Sequence, residues 1–177
     1  MDITYIIGQI FGIIGLVITA ASYQAKTNRK LFICQALGGL SFAINFLLIG
    51  DISAGIFNLA NLVRGMIFSK SKKRVWELTI VEVLYIVCFV FSMTKIWGIW
   101  IDVALSVLTF ASLVVMSVVM WLANPKHMRY TQFFFVSPAW LTNNIFHFTL
   151  GGILCEVLTM SSVVISFIRY GKDGFEN

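Results

Sequence analysis

FNLANLVRGM, residues 57–66, sets Asn58, Asn61 and Arg64 three residues apart inside a run otherwise suited to lipid. If the segment crosses a membrane, those groups need partners other than lipid, because an unsatisfied polar group in hydrocarbon costs several kcal/mol, roughly. Something polar must therefore face them from neighbouring helices.

The composition supports a membrane setting. The 177 residues are 59% hydrophobic and 12% charged, with a mean hydropathy of +0.89, outside the range of ordinary soluble domains. Apolar runs recur at Ile3 to Tyr23, Leu31 to Ile49, Ile52 to Ser69, Val75 to Met93, Trp97 to Ala123, Tyr130 to Phe148 and Ile153 to Ile168. A helix of about 20 residues crosses the hydrocarbon core, and flanking anchors tolerate shorter runs. The reading is an all-α integral membrane protein with seven transmembrane helices. The start MDIT lacks the basic stretch of a cleaved signal peptide, so the first run is expected to remain as a span. Cys34, Cys88 and Cys155 fall inside spans and are odd in number, which fits packing residues better than disulfides or zinc ligands. No metal and no cofactor is expected.

Basic residues favour the cytoplasmic side. Lys26, Arg29 and Lys30 follow the first span, Lys70, Lys72, Lys73 and Arg74 the third, Lys126 and Arg129 the fifth, and Arg169 and Lys172 the seventh. The alternate connections carry Lys95, with Asp2 and Asp51 on that same side. This predicts the N-terminus outside and the C-terminus inside. The net charge of +5 is then explained by topology, and the SKSKKR run needs no nucleic acid. The expected partners are membrane lipid and a small polar solute, with room for a homo-oligomer.

The pattern of connections suggests an internal repeat. A basic loop and then a short turn, GDIS, join spans 1 to 3; ANPKHMR and TLGG do the same for spans 5 to 7. With one span between them, the triplets share an orientation, giving a 3+1+3 parallel-repeat bundle: residues 1–69, a linker helix 70–96, and residues 97–177. A shift of 101 residues lays Leu40 on Leu141, Ile44 on Ile145, Gly50 on Gly151 and Ile52 on Ile153, and also Asn58 on Thr159 and Asn61 on Ser162. Steps of three turn a helical side chain by only about 60°, so each third helix carries a polar stripe on one flank. Arg64 extends one stripe and Glu156 the other.

Other spans can complete a polar interior. Span 2 offers Gln35, Ser41 and Asn45. Span 6 offers Trp140, Asn143, Asn144 and His147, with Pro138 positioned to kink or loosen the helix. Gly8 and Gly12 in span 1 form a small-xxx-small pair that lets another helix approach closely. Asn45, Asn58, Asn61, Trp140, Asn144, Thr159 and Ser162 are thus the expected solute-facing residues, and Arg64, Pro138, His147 and Glu156 the expected gating or coupling ones. Glu156 is the acid of the stripes, and intramembrane acids commonly mark pathways or proton relays. Glu82 is expected to pair with a basic group or with Tyr85. Asp102 and Glu77, near the span ends, are expected to be solvated. No GxSxG, HExxH, CxxC or phosphate-loop motif is present, so an enzyme is not expected.

LLIGDISAG followed by Asn61 and Arg64, and Trp140, Asn144, Gly151, Gly152 and Glu156 in the second half, resemble the YgjV-type bacterial inner-membrane proteins. That family in turn resembles the seven-helix SWEET and PQ-loop transporters and the PnuC-type vitamin carriers, whose three-one-three plan would match this layout. In SWEETs, asparagines on the third helix of each triplet and tryptophans on the second line the pocket; Asn58 or Asn61 and Trp140 would fit. Thr159, Ser162 and Gly39 depart from that pattern, and SYQAK replaces the Pro-Gln pair, which argues against sugar specificity. The resemblance implies a multi-pass protein of the inner (plasma) membrane carrying a small polar solute by alternating access. The alternative is a non-transporting scaffold or receptor with a structural polar core.

Overall fold

The computed structural model describes residues 2–22, 28–122 and 125–170. Lys26, Lys172 and the tail after Tyr170 lie outside the described residues, as do the side chains of Arg29, Lys126 and Arg169. Among the described residues the chain is all helix and turn: α1 (Ile3–Ser22), α2 (Asn28–Ile49), α3 (Ile52–Ser69), α4 (Val75–Ile96), α5 (Trp100–Leu122), α6 (Pro125–Thr131), a π-helical segment (Gln132–Val136), α7 (Ser137–Phe146) and α8 (Leu150–Tyr170). The α6, π and α7 pieces run on as one rod.

The helices α1, α3, α4 and α5 are long and apolar enough to cross a membrane, and shorter apolar stretches occupy Ile33–Ile49 and Leu150–Ile165. Side chains are distributed as lipid solvent demands. On α1 the buried residues are Gly8, Gly12, Gly15 and Ser22, while Ile3, Ile6, Ile10 and Val17 are exposed. Large apolar groups gain nothing by leaving lipid for protein, so small residues take the contacts and let backbones meet. Gly15 faces the Phe42 ring, and a Cβ on Gly151 would lie 2.3 Å from the Gly12 carbonyl carbon and oxygen. The close approach expected of the α1 glycines is therefore realised.

Each ring helix packs on the next: α1 on α2, α2 on α3, α3 on α5, α5 on the α6–π–α7 rod, α7 on α8, and α8 back on α1. The remaining helix, α4, stands outside the ring against α3 and α5. One end of the bundle holds the turns 49–52, 96–100 and 146–150. The other carries the basic segment 70–74, where Lys73 Nζ donates to the Leu122 carbonyl at 3.3 Å and Trp121 Nε1 to that of Arg74 at 3.3 Å.

The turns into α3 and α8 are built alike. Gly50 (φ +93°) precedes Asp51, and Phe148 (φ +51°) precedes Thr149. The Asp51 amide donates to the Phe46 carbonyl at 2.9 Å and the Thr149 amide to that of Asn144 at 3.0 Å, each reaching five residues back. Asp51 then caps α3 by accepting from the Ala54 amide at 3.0 Å. These two turns stand 98 residues apart (149 less 51), against the shift of 101 residues read from sequence.

Glu77 corrects an expectation. Rather than being solvated, it is buried and accepts from the Lys72 amide at 3.2 Å, the Arg74 amide at 3.2 Å and the Ser71 hydroxyl. These bonds tie the start of α4 to the loop before it, satisfying donors at the helix N-terminus.

Candidate functional site

A cavity of about 170 Å³ lies inside the ring, room for roughly half a dozen waters at liquid density. Every ring rod contributes to its wall. The first half supplies Thr19 from α1, Gln35, Phe42 and Phe46 from α2, and Asn58, Asn61 and Arg64 from α3. The second supplies Met116 and Met120 from α5, Gln132 and Val136 from the π segment, Trp140 and Asn144 from α7, and Glu156 and Thr159 from α8. At the 98-residue spacing Phe42 matches Trp140, Phe46 matches Asn144, Asn58 matches Glu156 and Asn61 matches Thr159, and all eight line the cavity. At the first residue of the π segment the match is one residue shorter, 97 (132 less 35), setting Gln35 against Gln132. A π turn is a one-residue insertion in a helix, often at functional sites; here it absorbs that single-residue difference.

Of the residues expected to face a solute, Asn58, Asn61, Trp140, Asn144 and Thr159 line the cavity, as do Arg64 and Glu156. Asn58 Nδ2 donates to the Ala54 carbonyl at 2.9 Å, and Asn61 Oδ1 accepts from the Tyr85 hydroxyl at 2.6 Å. Two residues lie elsewhere. Asn45 is fully buried against Gly12 and donates to the Gly8 carbonyl at 2.7 Å, so it joins α2 to α1. Ser162 is exposed and absent from the wall; the stripe of α8 turns away from the cavity after Thr159.

Pro138 is not in the wall either. It opens α7 directly after the π segment, and its carbonyl accepts from Thr142 Oγ1 at 2.8 Å. Lacking an N–H, it cannot hold the regular α-helical bond there, which suits a wide turn just before it. His147 closes the turn end, with Nδ1 3.3 Å from Asp51 Oδ2 and Nε2 3.6 Å from Asp102 Oδ1. Asp102 is therefore a partner of His147 rather than solely solvated. Asn143 Nδ2 donates to Asp51 Oδ2 at 2.7 Å. Burial raises the Asp51 carboxyl above its ordinary value of 3.8; His147, the Ala54 amide and Asn143 pull it down, and Asp102 pushes it further up.

The charged groups of the wall have unequal surroundings. Arg64 Nη1 donates to Ser117 Oγ at 3.3 Å, its guanidinium lies 5.9 Å from the centre of the Tyr85 ring, and Glu82 of α4 is its electrostatic counterpart. Glu156 receives a hydrogen bond from Ser137, whose oxygen accepts from Gln132 Nε2 at 3.0 Å. Its Oε2 is buried with no hydrogen-bond partner among the described residues. Also among the described residues, no group of three or more His, Cys, Asp or Glu is placed to hold a metal ion.

A ring of apolar helices around a polar cavity agrees with what the wider comparison returns: a family model described as Imp-YgjV, bacterial inner membrane protein, matches residues 6–173. The chain belongs to the Imp-YgjV family. No curated protein and no solved structure matches it. Sequence reasoning passes over Phe42, Phe46 and Gln132, which line the cavity of this Imp-YgjV chain, and Ser137, which bonds Glu156. Gln132 carried a usable signal as the sole polar residue of TQFFFV beyond its threonine; the phenylalanines carried none, being indistinguishable from lipid-facing ones.

Proposed function

We propose that this Imp-YgjV protein carries a small polar solute across the bacterial inner membrane by alternating access, with the ring cavity as its binding site. The carrying observation is that two chain halves contribute matched positions to one cavity: Phe42 with Trp140, Asn58 with Glu156, Asn61 with Thr159. Pockets between repeats, lined by helices of both, are the usual site of secondary transporters. The reading takes seven spans, the 3+1+3 parallel repeat of residues 1–69 and 97–177 about a linker helix 70–96, and the N-terminus outside. The α3–α5 and α8–α1 seams are equivalent under that repeat, as a two-fold arrangement requires.

In this orientation the basic end is cytoplasmic. The wall reaches Thr19 and Met120, within about one turn of that end, while Asp51, Asn143 and His147 join α3 to the rod at the other end. This conformation is then the inward-facing one, and the Asp51–His147 cluster is the outer closure. Glu156 is the coupling group of the reading, Arg64 flanks the inner mouth, and the turn at Pro138 is its hinge.

Interhelical bonds of Asn45 to Gly8 and Asn143 to Asp51 favour the second reading, a scaffold or receptor whose polar residues hold helices together. Uptake into proteoliposomes containing the purified chain separates the two. Saturable uptake of one solute class, lost on Asn61→Ala in a protein that still melts cooperatively, is expected; no uptake across sugars, amino acids, amines and nucleosides refutes transport. Single cysteines at the exposed positions 72 and 97, labelled in intact cells with an impermeant reagent, test the orientation: reaction at 97 alone is expected, and reaction at 72 alone reverses it.

A further inference from the structure

We infer that the solute is a small organic cation, whose charged nitrogen group faces the free Oε2 of Glu156 and the ring of Trp140. The inference rests on reading the cavity as a solute site and names its chemistry. Glu156 lines the cavity, yet the described residues satisfy only one side of its carboxylate, through Ser137, and leave Oε2 buried and unpartnered. A buried carboxylate oxygen without a donor is costly, so a ligand that supplies a positive charge or N–H donors there gains what the fold leaves unmade.

The neighbouring groups favour a cation over a neutral donor. Ser137 and Trp140 stand three residues apart on α7 and share a face of the helix, so the indole lies about one turn from the group that holds Glu156. Phe46 packs on Trp140 with ring centres 5.8 Å apart, and Phe42 lies 6.5 Å from Phe46; all three line the cavity. Aromatic faces attract ammonium groups, tryptophan most strongly, and the attraction grows when water is excluded. Arg64, the cation of the wall, does not neutralise Glu156 by contact: its Nη1 donates to Ser117, its guanidinium lies over Tyr85 and Glu82 is its electrostatic counterpart, while its Nε is buried without a hydrogen-bond partner among the described residues. The rest of the polar lining is uncharged, the amides of Gln35, Asn58, Asn61, Gln132 and Asn144 and the hydroxyls of Thr19 and Thr159.

The test is binding to the purified full chain in detergent, read by thermal shift and titration calorimetry. The probes are methylammonium, choline, glucose and 3,3-dimethylbutan-1-ol, the uncharged isostere of choline. Choline or methylammonium should raise the melting temperature saturably, and the isostere and glucose should not. Glu156→Gln should weaken cation binding roughly tenfold to a hundredfold, the worth of one charge-assisted contact, and Trp140→Leu should weaken it more than Trp140→Phe. If the Gln variant fails to fold, choline against its isostere on the parent chain still decides. Equal binding of isostere and choline, or no shift with either cation, overturns the inference. Cation binding without uptake into proteoliposomes upholds it and refutes transport; glucose uptake indifferent to Glu156→Gln does the reverse.

Discussion

Gly151→Ala should be among the most damaging single-methyl additions in this protein. The added Cβ would lie 2.3 Å from the carbonyl carbon and oxygen of Gly12 and 2.8 Å from its Cα. Those atoms are helix backbone, which cannot rotate aside as a side chain would. Ordinary contact begins at 3.4 Å, so α1 and α8 must separate locally by about 1 Å, in a medium where close packing drives helix association. Overpacking typically costs about 1–3 kcal/mol, and a backbone obstacle belongs at the upper end, about 2–3 kcal/mol. For a chain of this size that corresponds to a melting temperature lower by roughly 4–12 °C. Gly39→Ala is the matched control: its Cβ would meet the Asn58 carbonyl at an ordinary 3.5 Å, and alanine is the better helix former by up to about 1 kcal/mol. Both variants would be purified in the same detergent and melted with intrinsic fluorescence as the readout. A Gly151→Ala protein that melts with the parent refutes the account of the α1–α8 contact, and a Gly39→Ala protein that melts below it refutes the reading of backbone distance as the deciding quantity.

Asn45→Ala removes a buried bond to the Gly8 carbonyl and should cost about 1–3 kcal/mol, measured as a lower denaturation midpoint; an unchanged midpoint would mean that α1 and α2 are held by packing alone. Tyr85→Phe frees Asn61 Oδ1, whose partner is the Tyr85 hydroxyl, and should destabilise by about 1–2 kcal/mol in the same assay, and a stabilised variant would contradict it. Asp51 sets a pH dependence. Its carboxyl is raised above 3.8 in the fold, so the folded state binds the proton more tightly, and the associated stability is present below pH 3.8 and lost as pH rises through the folded value. Asp51→Asn, which keeps a capping residue, should flatten that fall in melting temperature with rising pH, with His147 and Asp102 still facing the position; an unaltered slope would place its origin elsewhere.

How far the sequence discloses this structure can be judged residue by residue. The sequence bounds span 3 at Ile52 to Ser69, and α3 has those bounds, because Gly50 and Asp51 mark a turn and an N-cap that any context would use. The rod through span 6 starts earlier than Tyr130, at Pro125, since a proline can open a helix and the polar PKHMR segment hides the helix from a hydropathy reading. The sequence does not fix a single spacing between the two polar stripes, for a physical reason. Polar residues that recur every three positions form a stripe that aligns with itself after a three-residue slip, so a spacing of 101 imitates 98 while moving Asn61 from Thr159 to the exposed Ser162. Capping hydrogen bonds break that ambiguity, and they are visible only in three dimensions. Asn45 looked like Asn58 and Asn61 because an amide in a span advertises a partner without saying on which side; its partner proved to be the backbone of α1.

The two seams of the ring are closed by different means. At α1 and α8 the backbones of Gly12 and Gly151 touch, and Gln9 both donates to the Phe148 carbonyl at 2.8 Å and accepts from the Leu150 amide at 3.0 Å. At α3 and α5 the ties are side chains, a long arginine reaching a serine and Phe57 against Phe110 with ring centres 6.4 Å apart, with α4 laid across the outside. Backbone contacts tolerate rotation but little separation, whereas an extended side chain can pay out length before it lets go. Should the halves rock, the motion is that of a book: α1 and α8 are the spine, α3 and α5 the opening edge, and α4 the strap that limits how wide it opens.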